Sequence, residues 1–73
     1  MNEDTLKTEL QSHGTIRECR QNNSRSYIVA LDNVTAEESV ILQITNNHIS
    51  QEYPRLKHHV LENGSFKCIY FND

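Results

Sequence analysis

The chain predicts an α+β fold in the order α-β-β-α-β-β. Two hairpins form one four-stranded antiparallel sheet, and two helices pack on one of its faces. Three observations carry that prediction. Asn63-Gly64 separates two segments of strand character, Lys57–Glu62 and Ser65–Phe71. Leu6 and Leu10 stand four apart in a segment that stops at His13-Gly14. Thr35 and Glu38 stand three apart just ahead of Val40, Ile41 and Ile44, the spacing of a helix start.

In chain order, residues 3–12 read as a short helix with Leu6 and Leu10 on one face. Gly14 supplies the stop, since glycine takes the left-handed conformation that ends helices. Residues 15–21 read as a strand, 22–25 (Asn-Asn-Ser-Arg) as a polar turn, and 26–31 as a second strand rich in β-branched and aromatic residues. Thr35 and Glu38 then form a capping box, each side chain bonding the other's free backbone N–H. Val40, Ile41, Ile44 and His48 recur at helical spacing and face the core, with fraying near Asn46-Asn47.

Ile49–Tyr53 is ambiguous, and Pro54 suits either a helical turn or an extended lead. Leu56, His59 and Val60 also fit helical spacing with Gly64 as the stop, so a helix over 54–62 is the alternative to the second hairpin. The Asn-Gly pair favours the hairpin, because a two-residue turn that matches strand twist needs positive φ at both positions. It sets a register: Glu62 opposite Ser65, Leu61 opposite Phe66, Val60 opposite Lys67, His59 opposite Cys68, His58 opposite Ile69.

The two halves share a helix-plus-hairpin plan without repeating residues. With both helices on one face, Leu61, Phe66, Cys68 and Tyr70 point to the core, and Val60, Ile69 and Phe71 point away from it. Those three residues form a candidate partner-binding patch. The competing expectation is that the stems of Lys57, Lys67 and Arg20 cover them.

At 73 residues with 36% apolar content and no Trp, the chain is one small domain, 1–73, with a thin core. Such domains often gain stability from a disulfide, a metal or a second subunit. The acidic start, followed by no apolar stretch, predicts neither a signal peptide nor a membrane span, and so a cytoplasmic location. In that compartment Cys19 and Cys68 read as small semi-buried strand residues; whether they pair stays open. The net charge of −3 speaks against bulk attraction to nucleic acid or anionic membrane. The distribution is uneven. Glu3, Asp4, Glu9, Glu37 and Glu38 fall in the predicted helices, whereas Arg17, Arg20, Arg25, Arg55, Lys57 and Lys67 fall in or beside the strands.

Few residues suggest chemistry. His59 opposite Cys68 sets an imidazole beside a thiol, the pairing that activates a nucleophile, but no oxyanion hole or cleft accompanies it. His13, His48, His58, His59 and the two cysteines are metal-ligand types, yet His58 and His59 alternate between faces of a strand and no Cys pair has ligand spacing. Neither a cofactor nor a catalytic residue is expected. Arg17, Arg20 and Arg25, with Tyr27 to stack on a base, make the first hairpin the alternative site, for nucleic acid.

The order from Leu6 to Ile44 (helix, Gly14, strand, polar loop, strand, helix) is similar to the middle of an RNA-recognition motif. The opening strand and paired aromatic motifs of that family are absent, so no family is assigned. The reading is a non-catalytic binding or regulatory module that contacts a protein partner and can self-associate, as a homodimer, through its sheet. A short, acidic, Asn-rich chain of this kind suits a bacterial or phage accessory protein.

Overall fold

The computed structural model describes residues 1–73. Its elements are α1 (Glu3–Gln11), β1 (Thr15–Asn23), β2 (Ser26–Asp32), α2 (Glu38–Ile49), β3 (Arg55–Glu62) and β4 (Ser65–Phe71). The strands form one antiparallel sheet in the order β1-β2-β4-β3. The fold class is the predicted one.

The second hairpin carries the predicted register from Glu62↔Ser65 to His58↔Ile69. Asn63 and Gly64 take φ of 53° and 78°, the positive pair that a two-residue turn between twisted strands requires. Residues 55–62 are therefore strand, not helix. A register shift between Leu56 and His58 places Lys57 in a bulge.

The first hairpin is tighter than expected. β1 runs on to Asn23, and only Ser24-Arg25 separates the paired residues Asn23 and Ser26. The Asn23 side chain explains the difference. Its Oδ1 accepts from the Arg25 N–H at 2.8 Å and from the Ser26 hydroxyl at 3.0 Å, a local turn closure that Asn provides without positive φ.

The first helix starts at the expected residue, whereas its stop and the cap of the second helix differ from expectation. Asn2 caps α1, its side chain accepting from the Thr5 N–H at 3.1 Å. Gly14 does not end α1 in the left-handed region; it makes room. A Cβ there would lie 3.0 Å from the Asp32 carbonyl oxygen. No capping box forms at α2, where Glu37 is the N-cap and makes no side-chain cap bond. Thr35 instead donates its N–H at 2.9 Å and its hydroxyl at 3.4 Å to the His13 carbonyl, tying the two connecting loops together.

The buried stripe of α2 is Ile41, Thr45 and Ile49. Ile44 and His48 are half-buried, and Val40 is 38% exposed, the one large hydrophobic side chain open to solvent. The helix is rotated from the predicted face because Thr45 can be buried satisfied. Its hydroxyl lies 3.0 Å from the Leu42 carbonyl and 2.8 Å from the Tyr70 hydroxyl. With Ile49 on that stripe, the helix continues through Asn46-Asn47.

Leu6 and Leu10 from α1 and the α2 stripe pack on Cys19, Tyr27, Val29, Leu31, Phe66, Cys68 and Tyr70. Tyr53 closes one end, its ring centroid 5.7 Å from that of Tyr27. Cys19 and Cys68 both pair with Val29, one on each side. Two strand spacings, about 10 Å, separate them, too far for a disulfide; both thiols are free and buried. The two α-β-β halves meet along β2 and β4. The turn Ser24-Arg25 follows Leu6 and Leu10 at the same spacing as Asn63-Gly64 follows Thr45 and Ile49. No helix is long and apolar enough to cross a membrane.

Candidate partner-binding face

Strand alternation decides which side chains the helices leave uncovered. On the helix-free face lie Glu18 and Arg20 from β1, Ile28, Ala30 and Asp32 from β2, Lys67, Ile69 and Phe71 from β4, and Arg55, His58, Val60 and Glu62 from β3. Two of the three bulge residues, Arg17 and Lys57, join them. Arg17 Nε reaches Asp32 Oδ2 at 3.6 Å, and Lys57 Nζ sits 5.1 Å from the centre of the Phe71 ring.

Val60, Ile69 and Phe71 thus share one face, as the register requires. They are half-buried, not open. The expected exposed apolar patch is corrected to a roofed one, and Ile28 and Ala30 at its centre are 6% and 0% exposed. Long cationic stems lie along the apolar sheet while their charged heads stay in water. Lys67 pairs with Ala30 on one side and Val60 on the other, and Lys57 caps Phe71.

Charge is segregated between the two sides of the molecule. The helix-free face carries Arg17, Arg20, Arg55, Lys57 and Lys67 against Glu18, Asp32 and Glu62. The helical side carries Lys7 against Glu3, Asp4, Glu9, Glu37, Glu38 and Glu52. Arg20 pairs with Glu18 at 3.1 Å, and Arg17 with Asp32. Arg55, Lys57 and Lys67 have no carboxylate within 4.0 Å. A shallow depression of about 360 Å³ opens beside Lys67, at the turn end of β3 and β4, bordered by Arg17, Val60, Glu62, Asn63, Ser65, Phe66 and Lys67. The Ser65 hydroxyl donates to Asp32 Oδ1 at 3.2 Å, fixing the carboxylate that orients Arg17. Sequence reading missed this depression. The pairings of Val60 with Lys67 and of Glu62 with Ser65 were its only available signal.

The four residues of the alternative site are not brought together. Tyr27 is 1% exposed on the helical side, and its hydroxyl donates to Glu3 Oε2 at 2.6 Å, so its ring is not available to a base. Arg25 stands at the hairpin tip, 3.7 Å from Asp73, while Arg17 and Arg20 are on the helix-free face, each beside its own carboxylate.

His59 does stand opposite Cys68, but the two side chains serve different neighbours. His59 Nδ1 lies 3.0 Å from Glu38 Oε2, linking β3 to α2. Burial pushes the Cys68 thiol up to about 12, which keeps it protonated at neutral pH. Burial likewise raises Cys19, which lies 3.7 Å from the Tyr27 hydroxyl. His48 contacts Glu9 across the two helices. No group of three or more His, Cys, Asp or Glu side chains is placed to hold a metal ion.

Comparison with protein-family models, with curated proteins and with solved structures finds no match to this chain.

Proposed function

We propose that the protein is a small non-catalytic binding or regulatory module that meets a partner protein through the helix-free face of its sheet. One observation carries the reading: an entire sheet face has no covering element, and it joins half-buried Val60, Ile69 and Phe71 to cations without carboxylate partners. Lys and Arg stems that shield apolar surface can move aside when a partner replaces the water around them. The two buried thiols, held apart by Val29, suit a reducing compartment such as the cytoplasm.

Self-association through this face is the weaker form of the reading, because two copies would set their unpaired cations against each other. Pairing edge to edge is also disfavoured. Both edge strands, β1 and β3, carry bulges and cationic side chains, devices that discourage further strand addition. Sedimentation at high concentration tests it, and a monomer there removes the homodimer.

The face itself is tested by photo-crosslinking in the native host. A benzoylphenylalanine is placed at position 58, whose His58 is exposed on this face, and in a control at position 8, whose Thr8 is exposed on α1. A discrete protein adduct from position 58 alone is expected. It should vanish with Ile69→Ser and Phe71→Ser in a chain whose circular dichroism is unchanged. Adducts from position 8 only, or an adduct that survives those substitutions, would refute the face.

A further inference from the structure

The partner's chemistry follows from the charges that the fold leaves unpaired, given the face just proposed. We infer that this face recognises a carboxylate-rich protein segment, with one acidic side chain seated in the depression between Arg17 and Lys67.

The geometry is specific to the β3–β4 half. Lys67 forms one wall of the depression and Arg17 another, with Val60 to receive an aliphatic stem. Arg17 is already turned toward Asp32 at 3.6 Å, longer than a close charge-assisted hydrogen bond. An incoming carboxylate can therefore share its guanidinium. Arg55 and Lys57 continue the unpaired positive charge away from the depression along β3, so a segment crossing the face meets cations beyond the first.

The remaining carboxylates argue for a protein over a nucleic acid. Glu18, Asp32 and Glu62 interrupt the cations on this face, where a phosphate backbone needs continuous positive charge. Of the two aromatic rings on it, Phe71 is half-buried under Lys57 and the His58 imidazole alone is exposed, too few for a stacking platform. The opposite side, six carboxylates to the Lys7 side chain and the Met1 ammonium that pairs with Glu52, repels the same ligand and so gives the encounter a direction.

Glu62 borders the depression and opposes a carboxylate there, so the two neighbouring charges predict effects of opposite sign. The experiment titrates isotope-labelled protein with poly-L-glutamate, and separately with oligothymidylate of matched charge, following backbone amide signals. Poly-L-glutamate is expected to move the signals of Lys57, Val60, Lys67 and Ile69 ahead of any in α1 or α2, with binding lost at high salt. Lys67→Gln should weaken binding about fivefold. Glu62→Gln, an exposed change that leaves the fold intact, should tighten it about twofold to fivefold.

Absent shifts, or shifts that neither substitution alters, would overturn the inference. So would oligothymidylate moving the same signals at lower concentration, which would favour nucleic acid instead. The crosslinking experiment separates this inference from the reading beneath it. An adduct at position 58 that persists in the Lys57→Gln, Lys67→Gln variant overturns the acidic partner and leaves the face standing. Missing adducts with poly-L-glutamate binding intact count against the protein partner and not against the preference for carboxylates.

Discussion

Raising the pH above 9 should destabilise this protein from its interior. Cys19, Tyr27, Cys68 and Tyr70 all lie in the core between sheet and helices, and burial pushes each of them upward. Cys68 rises from 9.0 to about 12, and Tyr70 from 10.0 to about 12. An unfolded chain releases these protons at the lower values, whereas the folded chain keeps them. The stability that Cys68 and Tyr70 contribute is thus complete below pH 9, falls as the pH rises, and is lost by about pH 12.

Each pH unit above a group's unfolded value removes about 1.4 kcal/mol. At about pH 10.5 Cys68 alone removes about 2 kcal/mol and Tyr70 a smaller amount, with Cys19 and Tyr27 acting in the same direction. Against a total of roughly 4–11 kcal/mol for a chain of this size, that is a large fraction. With no Trp to report, the assay is urea unfolding followed by far-ultraviolet circular dichroism at neutral and alkaline pH, with phenolate absorbance alongside. Cys68→Val should flatten the alkaline loss. Equal stability at pH 8 and about pH 10.5, or a variant that keeps the wild-type slope, would refute the reasoning.

Leu10→Ala should lower stability by about 2–5 kcal/mol in the same denaturation assay, because Leu10 is fully buried and one of only two buried residues holding α1. Gly64→Ala should cost about 1–2 kcal/mol in thermal unfolding through its φ of 78° alone, since an added Cβ meets nothing within 4 Å. Both thiols should react with an alkylating reagent only after denaturation, and mild oxidation should produce no intrachain disulfide by mass spectrometry, because Val29 stands between them.

Turn chemistry made half of the sheet legible before any coordinates. Asn63-Gly64 needs no tertiary help to select its turn, so the pairing from Glu62 to His58 followed from local conformational preference. Leu6 and Leu10 were legible for a similar reason, as the only large apolar residues of a short polar segment. The helix faces that needed tertiary knowledge were misread. Thr45 looks polar in sequence and becomes buried only through Tyr70, a residue far along the chain. Thr35 and Glu38 have capping spacing, but the His13 carbonyl takes Thr35 away.

The candidate face was legible in outline and not in character. Alternation placed Val60, Ile69 and Phe71 together. Whether they would be bare or roofed depended on the Lys67 stem and on a bulge at Lys57 that no local motif announces. Tyr27 was misassigned because β2 is buried on both faces, so its sequence shows no polar alternation to reveal which side meets α1.

The central seam between the two α-β-β halves also has a consequence in time. Each hairpin closes through a two-residue turn and can form within microseconds, whereas β2 and β4 meet only after a long loop has closed. The slow event in acquiring this structure is then the coalescence of two locally ordered pieces along that ladder. Val29→Ala, at its centre, should retard refolding in stopped-flow measurements, while Leu10→Ala should mainly hasten unfolding. Similar refolding rates for the two variants would place the barrier elsewhere.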